Sequence, residues 1–144
     1  MQLRFEVEQF FALAFHQLGE AEIYRLQQMK TGALISFAAE AGALMGHASP
    51  KAMASMHGYA RDLGLAFQIA DDLLDVEGTP EEVGKATQKD ADAGKATLVG
   101  IMGTERARNQ AEILANQAIE HLSDFDDKAA LLRAVAHFAI FRRT

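Results

Sequence analysis

Gln68, Asp71, Asp72 and Asp75 stand at i, i+3, i+4 and i+7. In a helix this spacing lines them up along one stripe over two turns. Between and before them stand Leu63, Leu65, Ala66, Phe67, Ile69, Ala70, Leu73, Leu74 and Val76. Nearly everything off the stripe is therefore apolar. A surface helix carries an apolar stripe on a polar cylinder, and this one inverts the pattern. A helix apolar on most sides is buried, so its carboxylates are expected to face something other than bulk water.

Three carboxylates within two turns repel one another. At an effective dielectric near 20, unit charges ~4–6 Å apart interact by roughly 3–4 kcal/mol. A cation, basic side chains or a retained proton can relieve this. Oxygen-only ligands favour a hard cation, Mg²⁺ over Zn²⁺. Mg²⁺ commonly takes one or two carboxylates and completes its shell with water and substrate phosphates. The stripe thus suggests a cavity that holds a phosphorylated ligand through metal. The plain alternative is a solvated acidic face, which would not need apolar flanks on both sides.

The elements that must position this stripe can be read along the chain. Residues 2–15 read as a short amphipathic helix with Leu3, Val7, Phe10, Phe11 and Ala14 on one face, although Leu3, Phe5 and Val7 also alternate as a strand would. A long helix is expected from Glu20 to Met45, stopped by Gly46. Its second half is rich in small residues, from Gly32 to Ala43. Glycine in a helix costs about 1 kcal/mol against alanine, so close approach of another helix is expected there. Lys30-Thr31 sits mid-helix, where a lysine ordinarily snorkels to the surface; it gains functional weight if it faces the stripe. Ser49-Pro50 is an N-cap followed by a first-turn proline. The helix it opens, about 27 residues and near 40 Å long, carries the stripe at its C-terminal end. The negative pole of the helix dipole lies there and adds to the need for a cation.

Beyond Gly78, Thr79-Pro80-Glu81-Glu82 reads as one turn of helix with a capping-box glutamate. Residues 84–97 are polar and hold Lys85, Lys89 and Lys95. They read as a loop beside the acidic site, with lysines suited to diphosphate oxygens, or as a plain solvated loop. Asp90-x-Asp92 fails as a calcium loop, because Lys95 stands at the glycine position and Ile101 at position 12. Gly94-Lys95-Ala96 is no P-loop. A short apolar helix follows over Leu98–Met102. Thr104 is expected to cap the next, amphipathic through Ala107, Ala111, Leu114, Ala118 and Leu122. A last helix is expected over 126–141 with Leu131, Leu132, Val135, Phe138 and Ala139 inward. Six helices and no convincing strand make the class all-α, a helical bundle.

The whole composition agrees. The 144 residues suit one domain, 1–144, and 49% are apolar, as in a globular chain. A net charge of −6 without a basic stripe argues against nucleic acid as a partner. Cysteine is absent, which excludes disulfides and thiolate metal sites and is compatible with a cytoplasmic location. No apolar run reaches membrane-spanning length. Glu6 and Glu8, with no small-residue cleavage site, make a poor signal peptide. The histidines show no metal-binding spacing.

Several motifs in order resemble the C-terminal half of trans-polyprenyl diphosphate synthases, of the farnesyl or geranylgeranyl diphosphate synthase kind. The segment from Gly64 to Asp75 is similar to that family's second aspartate-rich motif. Lys30-Thr31-Gly32 resembles its Lys-Thr pair, and Gly84-Lys85 and Gly94-Lys95-x-Thr97 its two later lysine motifs. The resemblance runs from about Leu18 to the C-terminus; residues 1–17 have no counterpart in it.

The resemblance implies the all-α isoprenoid synthase fold and condensation of isopentenyl diphosphate with an allylic diphosphate, dependent on Mg²⁺. It implies Asp71 as the main Mg²⁺ ligand, with Asp72 and Asp75 in support. Lys30, Lys85 and Lys95 would contact the diphosphate. Thr31 and Gln68 would offer oxygen dipoles to a developing cation, and Phe67 an apolar wall. It also implies a homodimer.

The family's first aspartate-rich motif, its arginine pair and its isopentenyl-binding glycine-lysine-arginine motif are absent from these 144 residues. The chain is therefore expected to be half of such an enzyme, inactive alone and prone to self-association through apolar faces that include Phe5, Phe10, Phe11 and Phe15. Two alternatives stand beside it. One is a truncated non-catalytic paralogue acting as a helical interaction subunit. The other is a class I terpene cyclase-like piece, whose Asn/Asp-x-x-Ser/Thr-x-x-x-Glu motif this sequence lacks.

Overall fold

The computed structural model describes residues 19–77 and 97–141, apart from the side chains at positions 20, 24, 26–28 and 30. The expected helix over 2–15, the turn of helix after Thr79 and the lysine loop with Lys85 and Lys95 lie outside the described residues. Within them the chain is helical, with no strand. Helix α1 (Glu20–Gln27) runs through a π-helical segment (Gln28–Gly32) into α2 (Ala33–Met45). Then come α3 (Pro50–Glu77), α4 (Leu98–Met102) and α5 (Thr104–Glu120). A 3₁₀ segment (Ser123–Ala129) leads into α6 (Ala130–Phe141).

Helix α3 is the axis, and α2, α5 and α6 all pack on it. Its start is the one expected: Pro50 opens the first turn, and the Ala52 amide donates to Ser49 Oγ at 3.2 Å. The middle of α3 is buried from Met56 to Ala70 on most sides. One core cluster joins Ile69 and Leu73 of α3 to Leu98 and Val99 of α4 and to Ala107, Ala111 and Leu114 of α5. A second joins Met56, Tyr59 and Leu63 to Ala118, Leu122, Ala136 and Ala139. The small residues of α5 let it lie close along α3, and its buried face is the predicted one.

Two polar ties close the far end of the bundle. Tyr59 Oη donates to the Leu132 carbonyl at 2.8 Å. Arg133 donates to the carbonyls of Asp126 (2.7 Å) and Leu122 (2.9 Å), across the bend where Asp126 has φ +48°.

Four expectations need correction. Gly103, at φ +84°, precedes α5, and no side chain caps that helix, so Thr104 is its first residue and not its cap. The α-helix of the last element begins at Ala130, after the bend. Leu131, Val135 and Phe138 face outward, with Leu131 76% exposed; Ala136 and Ala139 turn inward with Leu132 half-buried. Arg133 and His137 mark one side of α6 and its other residues are all apolar, so the sequence offers two apolar faces, Leu131–Val135–Phe138 and Leu132–Ala136–Ala139, and does not choose between them. Finally, α2 buries none of its small residues. The close approach expected of this stretch is met at its first residue, Gly32, one before α2 begins; a Cβ added at Gly42 would meet nothing within 4 Å.

Candidate functional site

Gln68, Asp71, Asp72 and Asp75 occupy the last two and a half turns of α3. The opposite side of those turns is held in the core by Ile69, Ala70 and Leu73. Anchoring on that side fixes the stripe's direction. Asp71 and Asp75 are exposed, and Asp72 and Gln68 half-buried. The expected enclosure of the carboxylates is thus not met: they form an open acidic face. The helix is still buried as its apolar flanks require, but by its other sides.

Among the described residues, no three His, Asp or Glu side chains are grouped to hold a metal ion. The donor set is nonetheless of the right chemistry for Mg²⁺ completed by a ligand: oxygen only, a few carboxylates, on an open face at the C-terminal pole of a helix. It does not fit a closed all-protein site.

The π segment carrying Lys30 and Thr31 packs directly on α3. Gly32 and Gly64 touch there: a Cβ on Gly64 would lie 2.9 Å from Gly32 Cα. Gly64 is one turn before Gln68, so the Lys30-Thr31 backbone stands at the head of the stripe. Thr31 is half-buried. Thr97, the end of the later lysine motif, accepts the Gly100 amide at 3.0 Å and caps α4.

Phe67 is half-buried. It lines an apolar groove of about 420 Å³ between α2, α3 and α6, with Ile35, Tyr59, Leu63 and Phe138 also on its walls. Burial pushes the Tyr59 hydroxyl up to about 12. At the end of α3, Arg108 of α5 pairs with Glu77.

A second acidic feature escaped the sequence reading. Asp62 is 3% exposed. Its Oδ1 accepts Arg61 Nε at 2.8 Å, and its Oδ2 lies 3.0 Å from His121 Nε2. The hydrogen bond from Arg61, with the carboxylate's charge, holds the guanidinium above its ordinary range. Gly58 makes room for the imidazole, since a Cβ there would fall 2.6 Å from the ring. Two adjacent charges, Arg61 and Asp62, inside the otherwise apolar stretch from Tyr59 to Leu65 were the available signal.

Residues 3–136 match the Polyprenyl synthetase family. The chain belongs to that family. The match begins inside residues 1–17, where the motifs alone offered no counterpart. The chain is 44% identical over 115 residues to geranylgeranyl pyrophosphate synthase 10, mitochondrial, of Arabidopsis thaliana, covering 79% of this chain and 33% of that one. It is 38% identical over 141 residues to a dimethylallyltranstransferase of Fischerella ambigua (strain UTEX 1903), covering 90% and 41%. The solved apo structure of an FPP/GFPP synthase from Zymomonas mobilis superimposes with a TM-score of 0.74 at 43% identity, covering 92% of this chain and 44% of that one. The chain thus spans a third to under a half of the length of these relatives, and its fold is the all-α isoprenoid synthase fold.

Proposed function

We propose that this chain forms one wall of a prenyltransferase, the wall that grips an allylic diphosphate for condensation with isopentenyl diphosphate. The observation that carries the reading is the open Gln68–Asp71–Asp75 face with the Lys30-Thr31 segment packed at its head. In this reading Asp71 is the main Mg²⁺ ligand, and Asp72 and Asp75 support it. Lys30, Lys85 and Lys95 bind diphosphate oxygens. Mg²⁺, when bound, neutralises the diphosphate and makes it a better leaving group. As the allylic C–O bond breaks, the Gln68 and Thr31 oxygens face the developing positive charge, fixed dipoles that need no reorganisation. Attack by the isopentenyl double bond and loss of a proton complete the condensation. Phe67 contributes an apolar wall.

Ionisation needs charge neutralisation from both sides of the leaving group, and one side is present in these residues. The 144-residue chain alone is therefore inactive in this reading. Incubated with isopentenyl and dimethylallyl diphosphates and Mg²⁺, it yields no labelled prenyl product above a blank. Titration calorimetry gives weak Mg²⁺ binding alone and clearly stronger binding with inorganic diphosphate. Tight binding of Mg²⁺ without diphosphate, or none with it, contradicts the proposal. Binding without turnover agrees equally with a non-catalytic paralogue; restored turnover on adding the complementary half of a synthase separates the two.

Homo-oligomerisation is part of the same proposal. Phe37 (71% exposed) and Met45 (82%) on α2, and Phe138 (67%) on α6, support it, because large apolar patches rarely stay uncovered on monomers. A compact monomer in sedimentation at micromolar concentration would overturn it. No helix among the described residues is long and apolar enough to cross a membrane. A cytoplasmic location rests on the cysteine-free composition, and the Arabidopsis relative is by name mitochondrial.

A further inference from the structure

We propose that Gly64 is a positioning residue: its missing side chain lets the π segment seat against α3 and so sets where Lys30 and Thr31 stand relative to Gln68 and Asp71. The inference rests on the reading of the stripe as a Mg²⁺–diphosphate face. Gly64, Gln68, Asp71 and Asp75 fall at i, i+4, i+7 and i+11, so Gly64 heads the same stripe. Gly32, the last residue of the π segment, is buried against it. A Cβ at position 64 would meet Gly32 Cα at 2.9 Å and Gly32 N and C at 3.9 Å. These are backbone atoms. They cannot swing aside as a side-chain tip can, so any side chain at 64 displaces the segment itself.

The displaced segment is an unusual one. π turns are rare, occur mostly as single turns within α-helices and gather at functional sites. Here the turn spans Gln28–Gly32 and includes both residues assigned to the diphosphate and the cation. It inserts an irregular turn between α1, whose Ile23 is locked in the core, and α2, none of whose residues is fully buried. The Gly32–Gly64 contact is where the segment's own backbone meets α3.

Gly58 supplies an internal control. A Cβ there would also overlap a neighbour, at 2.6 Å, but the neighbour is the His121 ring, far down α3 from the stripe. Gly58→Ala thus damages packing on the same helix without touching the π segment.

The test compares wild-type, Gly64→Ala and Gly58→Ala chains. Folding is followed by far-ultraviolet circular dichroism and thermal melts, and Mg²⁺–diphosphate affinity by calorimetry well below each melting point. Gly64→Ala is expected to keep its helix content, exchange the amides of residues 28–32 faster, and lose affinity at least about tenfold. Gly58→Ala is expected to melt earlier and bind within about twofold of wild type. Equal losses in both variants overturn the proposal, because the effect is then general destabilisation. So does outright unfolding of Gly64→Ala, since a glycine required by the whole bundle is not a positioning residue. A wild-type chain without diphosphate-dependent Mg²⁺ binding sinks the reading of the stripe and the proposal with it. Wild-type binding that persists undiminished in Gly64→Ala sinks the proposal alone.

Discussion

Asp62 and Asp71 lie on one helix and differ in almost everything else. Asp62 is 3% exposed, with one oxygen on Arg61 and the other beside His121. Asp71 is exposed, on the face that also carries Asp75 and the head of which meets the π segment. The first carboxylate is committed to joining α3 to the end of α5. The second stands on an open face where a ligand can reach it. The same residue type thus serves cohesion in the first half of α3 and, in the proposed reading, recognition in the second. The burial of each half decides which.

The comparison breaks most sharply if function follows the wrong aspartate. In a whole synthase that joins this wall to its complement, Asp71→Ala is expected to lower kcat by about 10²–10³, the usual scale for losing one preorganised electrostatic group. Asp75→Ala is expected to cost less. Stability should fall less in either than in Asp62→Ala, because both side chains are exposed and interactions at exposed charges are weak. Steady-state kinetics and denaturant melts on the same samples check this. Equal kcat losses would undo the assignment of Asp71 as the main ligand.

Asp62 should behave in the opposite way. Asp62→Ala leaves Arg61 and His121 without their acceptor and is expected to destabilise by about 1–3 kcal/mol. The cost stays below that of breaking a fully buried ion pair, because the Arg61 and His121 side chains are 50% and 36% exposed and can turn to water. Urea unfolding measures the loss. Mg²⁺–diphosphate affinity of the folded variant should match wild type, and a weakened affinity would merge the two halves that the structure separates.

This division was only partly legible in the sequence. The stripe itself was, since Gln68, Asp71, Asp72 and Asp75 stand against an apolar background at one helical period. The buried face of α5 was as well, because its alanines and Leu114 alternate with polar residues at that period. Burial of the stripe was misjudged. Apolar flanks show that a helix is covered, but not which side stays open. The face of α6 was unreadable for want of contrast. The π segment left no trace, because a change of hydrogen-bond register is not written in residue type. The Asp62–His121 contact joins positions 59 residues apart, and no local pattern pairs them. Gly64 opened the aspartate-rich segment in the sequence, but no local pattern showed that its neighbour would be the Gly32 backbone.

The finest test of the inward-facing half concerns Tyr59, three residues before Asp62. Its hydroxyl donates to the Leu132 carbonyl, and burial pushes its pKa up to about 12, above the ordinary tyrosine value of about 10. A folded-state value above the unfolded one means that the folded chain keeps its proton longer. The contribution to stability is then complete below about pH 10. It is lost as pH rises towards 12, where the unfolded chain ionises and the folded chain resists. Tyr59→Phe removes both the hydrogen bond and the titration. At pH 7 it is expected to cost about 1 kcal/mol, the scale of one hydrogen bond whose buried acceptor is left over. Between pH 10 and 12 the wild type should lose stability faster than the variant, so the gap between them closes. Lysines titrate in the same window in both proteins, and the difference between the two curves cancels them. Parallel curves from pH 7 to 12 would mean that the Tyr59 hydroxyl reaches water in solution, and that the first half of α3 is less closed than its contacts with α6 make it.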